Sequence, residues 1–549
     1  MNSKIEVMVS GRWIVVVLIF HAALSCSRYT NFCTDDSDCG IYEFCGPDDR
    51  CVCGVRFVPS NPCDSDVIGD SKCSHMQISY RPIGSDLVAE EWCPINSAVC
   101  RIHCDVAEEE DSILDVVCFD SKGGVPVARS ASKFYRDNSN TEVTTIRFVL
   151  GYANGFTTTT RMDENGIPDG CSPLAQEHGR YGHSTTLLDD GRVLIVGGAR
   201  RFAPGVYEYL TTAEIFDPST GKHEMIVDVD GFPINMLSGT GRAFHTATLL
   251  SDGRVLVAGG VGVENDKISA LDTSELFDPA RKEFVELITI HHGRAHHSAN
   301  MLPSGDVLLI GGADIVDGNT VRIYNDALIY NSGENKWSLA DSTMNAARAY
   351  HQATLVHPVG KSGYMLVSGG ENENGALKSV ELFDLESSAF VDLTAINANY
   401  GRTRHCAVDM ENGYIALVGG TSNSDQTGAL SQVEFFHYET PEEYGRFIDE
   451  SLQLRTERVD HRCAFIGADR VLVSGGVSSS GDAIDTAEVL SARPGGFFLE
   501  DTPRSYDMPR YLHSVCHLES GAIYLSGGIP DEDPYHYSIS KSSLFVPYP

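Results

Sequence analysis

The sequence predicts an all-β protein: a seven-bladed β-propeller preceded by a small disulfide-rich N-terminal region. Three observations carry this. Arg-x-x-His occurs seven times, at Arg180/His183, Arg242/His245, Arg294/His297, Arg348/His351, Arg402/His405, Arg458/His461 and Arg510/His513. A glycine pair follows each, beginning at Gly197, Gly259, Gly311, Gly369, Gly419, Gly475 and Gly527, with spacings of 62, 52, 58, 50, 56 and 52 residues. A period near fifty with four strands per unit marks propeller blades. Third, twelve of the 16 cysteines lie between Cys26 and Cys118.

Each unit reads as a sequence of strands. A short apolar strand follows the histidine, then a hairpin turns at Asp190-Gly191, Asp252-Gly253, Ser304-Gly305, Ser362-Gly363, Asn412-Gly413 or Ser520-Gly521; the sixth unit has Ala468-Asp469 instead. Glycine reaches the positive φ that tight hairpins need. The second strands (VLIV, VLVA, VLLI, YMLVS, YIALV, VLVS, IYLS) are continuous apolar runs, as expected where both faces are covered. Gly197-Gly198, Gly259-Gly260, Gly369-Gly370 and their equivalents fit places where backbones crowd and no side chain is admitted. Third strands carry Glu-x-aromatic at Glu214–Phe216, Glu275–Phe277, Glu381–Phe383 and Glu434–Phe436, with Glu488-Val489-Leu490 as a variant. The third unit has Ala327–Tyr330 and the last has Ser543–Phe545 at that place.

These residues resemble the kelch repeat family, from Arg180 to Val546. The family's second aromatic is clear only at Trp337, with Phe284, Phe390 and Phe497 as partial substitutes. The resemblance implies a closed seven-bladed propeller. The last unit supplies only three strands, so its fourth is expected from the β-rich runs Val143–Ala153 and Phe156–Met162, which flank Asn154-Gly155. The hairpin region is taken as residues 140–179 and the propeller as 180–549.

Residues 1–25 read as a secretory signal: Lys4 and Arg12, then an apolar run Trp13–Leu24, with Ala23 and Ser25 before Cys26. A small residue before Cys26 also resembles the bacterial lipoprotein signal, which would lipidate that cysteine; a membrane is otherwise not engaged. In residues 26–65, Cys33, Cys39, Cys45, Cys51, Cys53 and Cys63 resemble EGF-like or Dickkopf-type modules. Cys73, Cys93, Cys100, Cys104 and Cys118 mark a second small region, 66–135, and Cys171 is a further disulfide candidate. The absence of Asn-x-Ser/Thr sequons leans towards a bacterial source.

The chain is acidic, 41 basic residues against 76 acidic for a formal charge of −35, which disfavours nucleic acid and anionic membrane surfaces. The segment DENGIPDGC resembles part of a thrombospondin type 3 repeat, in which Asp163, Asn165 and Asp169 side chains and the Ile167 carbonyl would bind calcium; a polar turn is the plainer reading. The seven repeat arginines invite two readings: an anion receptor, or internal pairing with third-strand glutamates, which is favoured. Arg294 and Arg510 lack such a glutamate and are the ones expected to be free for ligand. Tyr350 before His351 resembles the Arg-x-Tyr-His motif of the galactose oxidase family, where both are copper ligands. The chain lacks the family's C-terminal histidine domain and a partner for its Tyr–Cys cofactor, so copper is disfavoured and no cofactor is expected. Cys406, Cys463 and Cys516 fall one, two and three residues after their histidines and read as small buried apolar residues facing different sides.

The expected role is that of an exported, periplasmic or envelope-anchored monomer. One propeller face binds a protein or carbohydrate without catalysis, through the loops Ala199–Leu210, Val261–Leu271, Ala313–Arg322 and Thr421–Leu430. The alternative is a carbohydrate-active enzyme, epimerase-like or copper oxidase-like.

Overall fold

The computed structural model describes residues 179–549 apart from 204–205, 219, 358–362, 392–395, 424–427, 439–443, 501–508, 531–538, 540–541 and 548–549. Upstream it gives Leu174 and the backbone course of strands. Of the expected leader it gives only the backbone of strands Ile5–Val9 and Arg12–Leu18, while Cys26 and the side chains of Cys33 to Cys171 lie outside the described residues, as do Asp163, Asn165, Ile167 and the Asp169 side chain.

The described residues form strands and no helix, in the antiparallel arrangement of a β-propeller. Each repeat builds one sheet. In the first unit the strands Ser184–Leu187, Val193–Val196, Ala213–Asp217 and Lys222–Met225 pair in sequence order. The seventh sheet is different: Ser514–His517, Ile523–Ser526 and Ser542–Val546 are completed by Gly155–Thr158 from upstream. That strand pairs antiparallel with the third, Phe156 opposite Phe545. Ile146–Tyr152, on the other side of Asn154-Gly155, pairs elsewhere, with Pro126–Phe134.

The all-apolar second strands follow from the stacking of sheets. In Val193–Val196 all four side chains are buried. Leu194 and Val196 pack with Val255, Val257 and Phe277 of the second sheet. Val193 and Ile195 face the other way, onto Cys516, Ala522 and Tyr524 of the seventh. Alternate residues of one strand therefore fill two different inter-sheet cores. The same contacts bring the first sheet against the last, where Phe216 and Tyr524 stack with ring centroids 4.4 Å apart.

The glycine pair locks each sheet to the next. The second glycine donates its N–H to the arginine carbonyl of the following unit: Gly198 to Arg242, Gly260 to Arg294, Gly312 to Arg348, Gly370 to Arg402, Gly420 to Arg458, Gly476 to Arg510 and, across the chain ends, Gly528 to Arg180, all at 2.8–2.9 Å. Both glycines have positive φ, 59° and 93° at Gly197 and Gly198. A Cβ on Gly197 would lie 2.6 Å from the Arg242 carbonyl oxygen, and one on Gly198 2.8 Å from His183 Cβ. No residue with a side chain fits there.

Removing residues 155–158 unpairs the outer edge of the seventh sheet. Calorimetry on the deletion is expected to show a melting temperature lower by several degrees, roughly that of losing 1–2 kcal/mol; an unchanged midpoint overturns the role given to this strand.

Candidate functional site

All seven repeat arginines are wholly buried. Five make a charged pair with the third-strand glutamate of their unit: Arg180–Glu214, Arg242–Glu275, Arg348–Glu381, Arg402–Glu434 and Arg458–Glu488, at 2.5–2.8 Å. The same guanidinium donates to the carbonyl of the unit's first glycine, as Arg348 does to Gly369 at 2.7 Å. The glutamate also accepts backbone N–H groups from the loop entering its sheet, Glu381 from Asn345 and Ala346. Carboxylate, glycine carbonyl and loop N–H groups thus surround the buried charge at Arg348–Glu381, although the arginine Nε of this pair makes no hydrogen bond.

Two expectations change here. Arg294 is not free: Asp326, just before the third strand, replaces the missing glutamate and accepts both guanidinium nitrogens at 2.8 and 3.3 Å. Arg510 is buried at 0% exposure like the other six, so it presents nothing to a ligand from solution. Asp326 lies one residue upstream of Ala327, outside the Glu-x-aromatic register that the other units share.

The repeat histidines are seam residues. Nε2 meets a hydroxyl of the preceding unit: His245 with Ser184, His297 with Thr246, His351 with Ser298, His405 with Ser368, His513 with Ser474 and His183 with Ser526, at 2.8–3.1 Å. Burial, reinforced by the adjacent arginine, pushes His245, His297 and His351 down to about 3. His351 is thus engaged by Ser298, while the Tyr350 ring stacks on His296.

The residue before each histidine is where the units differ. Gly182, Phe244, His296, Tyr350, Arg404, Asp460 and Leu512 all hold φ between 52° and 59°. Glycine adopts this freely, whereas each of the other six costs on the order of 1 kcal/mol. The strain is compensated by hydrogen bonds that run from unit to unit. N–H to carbonyl links join Phe244 to Gly182, Tyr350 to His296, Arg404 to Tyr350, Asp460 to Arg404, Leu512 to Asp460 and Gly182 to Leu512, at 2.8–3.3 Å. Six of the seven neighbouring pairs are joined in this way, and Phe244 and His296 meet through their rings instead.

Their side chains make a graded stack. Phe244 and His296 rings are 4.9 Å apart, and His296 and Tyr350 are stacked at 3.9 Å. The Arg404 guanidinium lies 3.8 Å over Tyr350 and 3.4 Å from the Asp460 carboxylate. Burial, with Arg404 nearby, holds His296 well below the ordinary histidine range, so its ring is neutral. Burial also raises Tyr350, and it raises Glu371 against the pull of Arg404 and Thr403. Glu371 Oε2 is buried without a hydrogen-bond partner. The cluster offers an aromatic surface, one cation and two carboxyls in one partly buried place. Of these residues, Tyr350 alone was singled out in the sequence. The missed signal is that the third residue of Arg-x-x-His varies while its neighbours repeat.

The two apolar cysteines are also corrected: Cys406 and Cys463 form a disulfide, with Cα atoms 6.0 Å apart. Alternation along one strand does not govern contacts between strands of different units. The residue one past a histidine faces the residue two past the next, as Ser514 faces Thr185 at 2.7 Å. Cys516 is a buried thiol, pushed up to about 12 by burial.

The loop ends share one edge of each sheet. First strands start where second strands end, Ser184 opposite Val196, and third strands start there too, Ala213 opposite Val196. At this edge the loops after the glycine pairs fold into hairpins, Ala199–Ala203 with Val206–Tyr209, Val261–Glu264 with Lys267–Ala270 and Ala313–Val316 with Asn319–Ile323. The last two join through Ser269 and Val316 into one four-stranded sheet.

No family model matches the chain, and no curated protein matches it. Among solved structures it is similar to the structure of YjhT, at 15% identity and a TM-score of 0.43, over 60% of this chain and 99% of that one. What the protein does is therefore read from its own geometry.

The buried histidines set a pH dependence. Their folded pKa values lie far below the unfolded value near 6.5. Above that pH both states are neutral and nothing is lost. As pH falls from about 6.5 towards 3, the unfolded chain takes up protons the folded one refuses, so stability declines. Unfolding midpoints in denaturant between pH 7 and 4 are expected to fall, and His351→Gln should reduce the proton uptake at pH 5 by about one. An unchanged uptake in that variant excludes His351 from the effect.

Proposed function

We propose that this is a seven-bladed kelch-type propeller that binds a partner protein on the edge carrying the hairpins and the residues before the repeat histidines, without chemistry of its own. The observation that supports it most is where apolar side chains are left in solvent. Tyr207, Val263, Ile268, Val316 and Val321 are exposed on the hairpins, and Phe232, 68% exposed, is on the loop entering the second sheet. They gather on the first three units, and exposed apolar patches of this kind mark interaction surfaces. Aliphatic side chains on a sheet suit a protein more than a sugar ring, and the −35 charge favours a basic partner. A photo-crosslinking residue at Val321 is expected to capture a protein adduct that one at Met301, on the opposite edge, does not. Binding confined to a glycan array, with no adduct, overturns the protein reading in favour of a carbohydrate ligand.

A second reading rests on Glu371. A carboxyl raised by burial, beside Arg404 and Tyr350, is the kind of group that can deliver a proton to a sugar oxygen. Polarimetry of reducing sugars would show catalysed epimerisation, lost in Glu371→Gln. No rotation change above the uncatalysed rate removes this alternative.

Export is part of the same proposal. A leader over residues 1–25 would place Cys33 to Cys118 where thiols oxidise, and Cys26 at a mature N-terminus. Intact mass of the unreduced mature protein decides between a lipidated Cys26 and a free one. A calcium adduct lost on removing Asp163, Asn165 and Asp169 would establish the segment DENGIPDGC as a site.

A further inference from the structure

We propose that Cys406, Cys463 and His461 form a redox-gated metal site on the seam between the fifth and sixth units: closed as a disulfide, and able when reduced to hold a thiophilic d10 ion, zinc or copper(I). The two cysteines are on the first strands of adjacent units, Cys406–Asp409 and Arg462–Phe465. Their sulfurs and a ring nitrogen of His461 all lie within 4.8 Å of one another. No other His/Cys/Asp/Glu group among the described residues converges in this way.

His461 breaks the pattern of its six equivalents. In those, Nε2 meets a serine or threonine hydroxyl of the preceding unit. In three units that hydroxyl is on the residue directly after the preceding histidine: Ser184, Thr246 and Ser298. In the fifth unit that place is Cys406. His461 is 1% exposed, and its Nε2 lacks the hydroxyl its six equivalents have, with only the Val418 carbonyl near the ring. A buried imidazole nitrogen without a partner is costly. It is aimed at the one seam where the hydroxyl has become sulfur. A sulfur engaged in a disulfide offers that nitrogen nothing; a metal held by two thiolates would satisfy it.

The chemistry balances with a dithiol as reductant. A dithiol thiolate attacks one sulfur of the Cys406–Cys463 bond, giving a mixed disulfide and releasing the other as a thiol. The second dithiol sulfur then displaces the remaining cysteine, and the reductant leaves as a cyclic disulfide. Two electrons and two protons reach the protein. A zinc or copper(I) ion then displaces the two thiol protons, taking two sulfurs and one nitrogen as ligands. Three protein ligands suit trigonal copper(I), or zinc with a water in its fourth position. Arg462, which donates to the His461 carbonyl at 3.0 Å, adds a positive charge beside the thiolates.

The test uses the full chain, because metal protection can be read cysteine by cysteine. Protein is treated anaerobically with dithiothreitol without denaturant, then incubated with zinc or copper(I) or neither. Alkylation with iodoacetamide is followed by peptide mass spectrometry. Peptides with Cys406 and Cys463 are expected to become alkylable on reduction and at least tenfold slower to react once metal is present, with Cys516 unchanged. His461→Gln should abolish most of that protection. Cys406→Ser, which restores the hydroxyl found in three other units, should leave the fold intact and remove protection from Cys463. A bond that resists the dithiol, alkylation that ignores both metals, or protection that survives His461→Gln each overturns the proposal.

Discussion

The structure depends on the hydrogen bond from the second glycine of each unit to the arginine carbonyl of the next. It closes every seam, including the one between Gly528 and Arg180. The bond requires two successive residues at positive φ with backbone where a Cβ would stand, and only a glycine pair meets both needs. The arginine that offers its carbonyl to one neighbour places its guanidinium on the glycine carbonyl and third-strand carboxylate of its own sheet. One residue thus holds the backbone of the preceding unit and the side chains of its own. A charge that serves two sheets cannot also serve a ligand, which is why the seven-fold cationic ring suggested by the motif does not exist as a surface.

The seam also explains what is free to vary. Arginine and histidine are fixed by the packing on either side, and the residue between Arg-x and His inherits a left-handed backbone from them. That backbone is sustained by the unit-to-unit bonds at six of the seven junctions. The scaffold therefore presents seven positions at the axis whose geometry is set and whose chemistry is not. In this chain they run from glycine through an aromatic series to an ion pair, and the strain at six of them is carried by contacts between units rather than by local sequence.

Much of the fold was legible because its determinants are local and repeated. Gly-Gly, the Asp-Gly and Ser-Gly turns and the continuous second strands each report a backbone or burial requirement within a few residues. Even Ala468-Asp469 keeps the requirement without glycine, both residues lying at positive φ. The candidate site was mostly not legible, because it is made by relations between units some fifty residues apart. Arg294 depends on Asp326, and His461 faces Cys406, pairs that no single-unit motif contains. Tyr350 was noticed for a copper motif, but its partners His296 and Arg404 are its counterparts in the neighbouring units.

Repetition makes departures informative in a way that a single-copy fold does not allow. Six equivalents state what the seventh should do. A serine or threonine hydroxyl at six histidines sets the expectation against which the sulfur facing His461 stands out. The departure is paired, since Cys463 occupies the place that Thr185 holds opposite Ser514. Two coupled changes on one seam, together with a buried nitrogen left without its hydroxyl, are not what relaxation of a packing position would produce. Loss of constraint at a packed seam yields small residues that fill space independently, whereas these two put sulfur where Ser184, Thr246 and Ser298 have a hydroxyl and where Ala247, Ala299, Ala353 and Ala407 have a methyl, making the one side-chain pair that can be bonded, opened and metallated at the same spot.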